Sequence, residues 1–339
     1  MKIRSLAFSS IAILLLSLSV QPANAAKTPK PITSLQDAVK RPKDVSYWAW
    51  KKSSDQVRST TAKSGELEIL VGPNTKLSNP NPKLALDAVK RLYPTFRHPQ
   101  KIYAIYYTYK DIDWAQKKFS ELFSMASGQD AKNSCQKETE CWGASASITN
   151  SGDGILLSAV TNGTKDPNHT SGTLEAHEYT HSVQVGAFFG TPQQGQAMMG
   201  IKAFTPWWFA EGGATLSQSA AIYANSFPKY SKERNIGAGG FLSNRNKKYT
   251  EKWIANFIKP PNNAIWSDQE TQWHLYDLGM LVSEIFTAIK GPAVNIQIFK
   301  DRRWKCVSPK FTSTCIAIKL CNASVNNKVL IFKRSSTSC

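Results

Sequence analysis

The chain has 339 residues, and its composition is 41% hydrophobic, 11% aromatic and 19% charged. This content of apolar and aromatic residues excludes an intrinsically disordered chain and suffices for one large domain or two smaller ones. The net charge of +18 at pH 7 would suit nucleic acid as a partner, but +2 of it lies in residues 1–25 and +8 in residues 302–339. Because the remaining +8 forms no basic stripe, we expect no specific nucleic-acid partner, although contact with an anionic cell surface fits the charge.

The N-terminus has the organisation of an export signal. Lys2 and Arg4 precede an apolar stretch over residues 6–20. Ala23-Asn24-Ala25 then supplies the small residues of a cleavage site. The apolar stretch is shorter than the roughly 20 residues that a membrane-spanning helix needs. We therefore interpret residues 1–25 as a cleaved signal peptide. The mature protein is then exported, either secreted or associated with the cell envelope, and has no membrane span; an uncleaved N-terminal anchor is the alternative.

Residues 26–95 form an N-terminal segment to most of which the sequence assigns no definite structure. Most of it is rich in Pro, Lys, Ser and Asn, with an aromatic patch at Tyr47, Trp48 and Trp50. Only near its end do apolar residues recur at helical spacing, and they predict a helix over residues 84–92.

Residues 96–301 predict a few strands followed by helices, which is the pattern of an α+β domain. Sequences typical of strands occupy residues 102–108, 144–149 and 155–161. Sequences typical of helices occupy residues from Asp111 or Asp113 to about 125, then 173–189, 206–225 and 272–289. We therefore expect a small mixed sheet followed by helices that carry the active site.

The six cysteines fall into two groups. Cys135 and Cys141 close a short loop, and we predict a disulfide between them, since their spacing does not match a Cys-x-x-Cys zinc knuckle. The other four lie in residues 302–339, a stretch without Asp or Glu. Two interpretations of this tail remain open: a small cationic appendix stapled by disulfides, or an ending that is out of frame.

The third predicted helix contains His177-Glu178-Tyr179-Thr180-His181, an H-E-x-x-H motif. Two histidines at i and i+4 lie on one helix face, so both imidazoles can reach one metal ion. Glu178 projects beside that face, where it can accept a proton from water. The alternative is a pair of unrelated surface histidines on an amphipathic helix.

A catalytic zinc site needs a third protein ligand. The metzincin continuation requires Gly at 184 and His at 187, but Gln184 and Ala187 occupy those positions. The next helix contains Trp207-Trp208-Phe209-Ala210-Glu211-Gly212-Gly213-Ala214, in which Glu211 is an acid in apolar surroundings that needs a partner such as a metal ion. We expect Thr205 as the N-cap, Pro206 as the first helical residue, and the small residues after Glu211 to let this helix approach the first closely. A solvated helix charge is the alternative for Glu211.

Together, H-E-Y-T-H and P-W-W-F-A-E-G-G-A resemble the gluzincin branch of the zinc metallopeptidases, the peptidase-MA-like families that include aminopeptidase N. The resemblance covers roughly residues 102–290 and implies a zincin-like catalytic domain with one Zn²⁺ per chain. It implies His177, His181 and Glu211 as ligands and Glu178 as general base. It also implies that the strands before the active helix bind extended substrate along an edge. The exopeptidase Gly-rich motif of the aminopeptidases has no match.

An oxyanion donor is the remaining requirement for peptide hydrolysis. Trp273-His274-Leu275-Tyr276-Asp277-Leu278-Gly279 resembles the Y-x-x-G helix of these families, which implies Tyr276 as the donor. His274 is the rival, because other gluzincins use a histidine, and a packing role for Tyr276 is also open. The remaining histidines, His98 and His169, lie in polar loops that contain proline, and we expect them to be solvated.

These features predict an exported zinc peptidase that hydrolyses peptide or protein substrates. The alternative is a non-catalytic cell-surface binding protein on a zincin scaffold, and the intact Glu178 argues against it. A third hypothesis is a charge-driven binder of nucleic acid or wall polymer, whose affinity would collapse with salt.

Overall fold

The described residues include a four-stranded mixed sheet. Its order is β1-β2-β6-β5, in which β1, β2 and β6 are parallel and β5 runs antiparallel to β6. The strands are β1 (Glu66–Val71), β2 (Lys101–Tyr107), β5 (Ala144–Ile148) and β6 (Gly154–Ala159). A short hairpin, β3 (Cys135–Lys137) and β4 (Glu140–Cys141), stands apart from this sheet.

The computed structural model describes residues 28–200, 205–243, 249–257 and 269–300. From Pro31 onward the described residues belong to one compact unit. The predicted signal peptide at residues 1–25 and the tail at residues 302–339 lie outside the described residues. Within them, no helix combines the length and apolar character needed to cross a membrane.

The described helices, taken in chain order, are α1 (Leu35–Lys40), α2 (Pro42–Arg58), α3 (Pro82–Leu92), α4 (Ile112–Leu122), α5 (Asp130–Ser134), α6 (Pro167–Thr170), α7 (Thr173–Gly186), α8 (Gln194–Gly200), α9 (Trp207–Ile222), α10 (Phe227–Ser243), α11 (Glu251–Phe257), α12 (Gln269–Lys290) and α13 (Val294–Lys300). A small mixed sheet followed by helices confirms the coarse α+β prediction. The helix α9 begins one residue later than predicted, because Pro206 has an extended ψ of 123° and is itself the N-cap.

The two faces of the sheet are covered by different helices, which explains the near-continuous apolar sequence of its central strands. On β2, Ile102, Ala104 and Tyr106 face a core shared with α3 and α7. Ile105 and Tyr107 alternate to the other face and join α4 and the disulfide hairpin. The hairpin is closed by the predicted Cys135–Cys141 disulfide.

The N-terminal segment, residues 26–95, supplies both a strand and helices to this unit. The strand β1 pairs with β2, and α2 packs against α9, α10 and α12. The aromatic patch fixes α2: the indole N–H of Trp50 donates to the carbonyl of Tyr223 at 3.0 Å, and the ring of Tyr47 packs edge-on against Phe227. The segment is therefore part of the same packed unit as α9, α10 and α12, which we call the helical layer.

The helix α9 lies between α7 and α12, and its small residues decide how closely these helices approach. A Cβ at Gly212 would lie 1.9 Å from the carbonyl carbon of Gly279 on α12, and one at Gly279 would lie 1.7 Å from the Trp208 oxygen. A Cβ at Gly213 would lie 3.3 Å from Nε2 of Gln184 on α7. The predicted close approach to α7 therefore holds for Gly213 and is wrong for Gly212, because successive helical residues point in different directions.

Candidate metal centre

The helix that carries the H-E-x-x-H motif is buried on nearly all sides. It begins after Gly172, whose φ of +90° favours glycine and whose Cα faces Ala85 of α3. The sheet covers one side of α7 and α9 covers the other. The His177 and His181 side chains face α9 and are only 6% and 7% exposed.

Three ligand atoms converge between α7 and α9. The Nε2 atoms of His177 and His181 lie 3.1 Å and 3.2 Å from Oε2 of Glu211, and 3.2 Å from each other. Glu211 is 1% exposed. The structure therefore brings the three predicted ligands together, and two imidazole nitrogens with one carboxylate form a buried group that could bind a metal ion.

Two glutamines contact the Nδ1 atoms of the histidine rings, while the Nε2 atoms face Glu211. The Nδ1 atom of His177 lies 2.8 Å from Oε1 of Gln218 on α9, and that of His181 lies 2.8 Å from Oε1 of Gln184 on α7. An amide oxygen can only accept, so each Nδ1–H donates to a glutamine, and Nε2 is left as the atom of each ring that would bind a metal ion. Neither glutamine was predicted from the sequence. The available signal was the spacing, since Gln184 is one turn after His181 and Gln218 two turns after Glu211.

Glu178 and Tyr276 both lie near enough to the ligand group to interact with its residues. The ring of Tyr276 packs 5.8 Å from that of His177, and its hydroxyl hydrogen-bonds to Glu211. Burial, together with the charges of Glu211 and Glu178, raises the pKa of Tyr276 well above its ordinary 10.0, so the phenol remains a proton donor at neutral pH. The Glu178 carboxylate is 8% exposed and near enough to interact with the charge on His177.

His274 is placed elsewhere, although it is only two residues from Tyr276. Its Nε2 lies 3.2 Å from the hydroxyl of Tyr249, and its ring packs against Trp253 and Phe257 of α11. Residues two apart on a helix point in nearly opposite directions. Of the two candidate oxyanion donors, only Tyr276 therefore lies beside the ligand group.

The expectation that His98 and His169 are solvated is wrong. His98 is 8% exposed, and its ring nitrogens lie 3.1 Å from the Tyr179 hydroxyl and 2.8 Å from the Tyr93 carbonyl. Burial lowers the pKa of His98 to about 4. His169 is 6% exposed, and burial lowers its pKa as well. Both are neutral interior histidines away from the ligand group.

Comparison with protein-family models, with curated proteins and with solved structures gives no significant match. The geometry of the site and the motifs themselves are therefore the basis for assigning a function.

Proposed function

We propose that the protein is an exported zinc metallopeptidase of the gluzincin type, with a zincin-like catalytic domain. The observation that carries the proposal is the convergence of His177, His181 and Glu211 in a buried site that also contains Glu178. A non-catalytic binding protein would need at most the three metal ligands. The carboxylate of Glu178 beside them is required only for catalysis.

The donor set fits zinc. Catalytic zinc commonly takes two imidazoles and one carboxylate and keeps a fourth position open. Around a tetrahedral ion with bonds of about 2.0 Å, ligand atoms lie roughly 3.3 Å apart. The three separations of 3.1 Å, 3.2 Å and 3.2 Å match one face of such a tetrahedron. Zinc, when bound, would polarise the scissile carbonyl and acidify the attacking water.

The chain's own residues supply the proton transfers and the positioning. The Glu178 carboxylate accepts the proton of the attacking water and passes it to the leaving amine. The Tyr276 hydroxyl donates to the carbonyl oxygen as negative charge develops on it. The strand β5 lies at an edge of the sheet and packs against α7, so an extended peptide can pair with it beside the ligand group.

Export is supported by the sequence of residues 1–25 and by the Cys135–Cys141 disulfide, which persists in oxidising compartments. In that setting the substrate is an extracellular or envelope peptide or protein.

Digestion of a mixed peptide library, read by mass spectrometry, tests the proposal. Wild-type protein should cleave after zinc loading, and Glu178→Gln should keep its zinc but lose cleavage. Glu175→Gln is the matched control: it makes the same change on the same helix, but Glu175 faces the sheet and accepts from Tyr106 and Asn79. Cleavage by this control is expected.

Absence of cleavage by zinc-loaded wild type would contradict the proposal and favour a non-catalytic surface-binding protein. Binding to an anionic polymer that collapses with salt and survives zinc removal would instead favour the charge-driven binder.

A further inference from the structure

We infer that Gln184 and Gln218 are positioning residues for the metal ligands, and that Gln184 couples His181 to the helix that carries Glu211. The inference rests on the proposed function in that it needs the metal site, but it does not depend on peptide hydrolysis. It assigns a role to two polar residues that the proposed mechanism does not use.

The two glutamines set the orientation of the histidine rings. An imidazole on a flexible side chain can turn either nitrogen toward a metal ion, and the partner of the other nitrogen decides which. Here both Nδ1 atoms have an amide oxygen at 2.8 Å. Each glutamine therefore fixes the tautomer and the ring plane, and both Nε2 lone pairs point at the same space beside Glu211.

The other end of the Gln184 amide contacts the next helix. Its Nε2 donates to the carbonyl of Ala210 at 2.9 Å. Ala210 immediately precedes Glu211 on α9, whereas Gln184 and His181 belong to α7. One side chain thus connects a ligand on one helix to the backbone beside a ligand on the next. Gln184 is completely buried, so both ends of its amide exchange water for these two partners.

The Gln184 amide lies against Gly213 of α9. A Cβ at Gly213 would lie 3.3 Å from Nε2 of Gln184, tighter than about nine in ten real contacts of this kind, so the amide would have to shift by a few tenths of an ångström. Gly213 therefore provides the space in which the amide spans the two helices. Gly213 thus leaves room for the Gln184 side chain, whereas Gly212 allows the close crossing of α9 with α12.

The two glutamines differ in one testable respect. Gln218 is required only as an acceptor for His177, so a carboxylate can replace its amide. Gln184 must accept from His181 and donate to Ala210, and a carboxylate cannot donate. Glutamate at 184 would also place a buried charge 2.9 Å from a carbonyl oxygen, if the side chain kept its position.

Zinc affinity of the full protein, measured by competition with a chromophoric chelator, tests this inference. We expect Gln184→Met and Gln218→Met to weaken zinc binding by about 10- to 100-fold, the usual range for partners of ligating histidines. Gln218→Glu should bind zinc at least as tightly as wild type, whereas Gln184→Glu and Gly213→Ala should bind it more weakly. Gln196→Met, a change at an exposed residue of α8, is the control and should have no effect.

Two further readouts separate positioning from folding. The metal-free Gln218 variants should unfold at urea concentrations close to that of the Gln196→Met control, whereas Gln184→Met removes the buried donor to the Ala210 carbonyl and should unfold at lower urea concentrations. The cobalt-substituted Gly213→Ala protein should show an altered visible spectrum, because its ligand geometry changes. If Gln184→Met does not fold, the contrast between Gln218→Met and Gln218→Glu still tests the inference for Gln218, and Gly213→Ala tests it for Gln184.

The inference is overturned if the Gln184 and Gln218 variants bind zinc as wild type does, or if the two glutamate variants behave alike. A wild-type protein that binds no zinc overturns it together with the proposed function. A wild type that binds zinc without cleaving peptides removes the peptidase but leaves the inference open to this test, because the readout needs no turnover.

Discussion

The crossing of α9 and α12 allows a sharp prediction for Gly279→Ala. The added methyl carbon would lie 1.7 Å from the Trp208 oxygen, which is about 1.3 Å inside the 3.0 Å limit for such contacts. Because the opposing atoms are backbone, no side chain can rotate away, and the two helices must separate. Overpacking in a core typically costs about 1–3 kcal/mol, and we expect a value at or above the upper end here. Most domains have only about 5–15 kcal/mol of stability in total.

Urea unfolding of Gly279→Ala beside Gly239→Ala measures this cost. Both glycines are helical, but a Cβ at Gly239 would meet nothing within 4 Å. The control should therefore gain up to about 1 kcal/mol from the higher helix propensity of alanine. Gly279→Ala should lose roughly 3 kcal/mol and, because Glu211 lies next to the crossing, should also bind zinc more weakly. Equal stability of the two variants would refute the close approach of α9 and α12.

Three other outcomes are expected. Burial lowers the pKa of His98 to about 4 from its ordinary 6.5, so between these pH values the unfolded chain binds a proton that the folded protein does not. The free energy of unfolding should therefore fall by up to roughly 3 kcal/mol as the pH drops from 6.5 to 4. Urea midpoints across this range should change less in His98→Gln, and an equal change would contradict the assignment. Tyr276→Phe, assayed at saturating zinc because the change also removes a hydrogen bond to Glu211, should lower kcat by about 10²–10³-fold if its hydroxyl stabilises the oxyanion, and unchanged kcat would exclude that role. Cys141→Ser should cost about 2 kcal/mol by loop-closure entropy, since the disulfide closes a separation of 6 residues, and reductant should destabilise wild type but not the variant.

The sequence predicts the central strands and the ligand-bearing helices well, because their local pattern agrees with their environment. The strands β2 and β6 are apolar on both faces. The motif residues of α7 and α9 are spaced so that a helical conformation places them on one face of each helix. The same local reasoning fails for α2. Ser53 and Ser54 are completely buried there, so small polar residues occupy core positions and the helix has no continuous apolar stripe.

In the candidate site, too, some residues can be predicted from the sequence and others cannot. The ligands and Glu178 follow from spacing, because the chemistry needs those residue types at those intervals. Gln184 and Gln218 look like ordinary helix polar residues until the neighbouring helix is in place. His98 has polar neighbours in the chain and an apolar environment in space, so its burial depends on contacts with Tyr93 and Tyr179 that the local sequence does not specify.

The distance along the chain between His177 and Glu211 has a consequence for folding. A metal ion held by both would close a loop of 34 residues, whereas the disulfide closes 6. Closing the longer loop removes more entropy from the unfolded chain, so the ion would act as a reversible cross-link between two parts of the helical layer. Metal uptake would then report the docking of α9 on α7, and chelation would remove this cross-link while the Cys135–Cys141 disulfide stays closed.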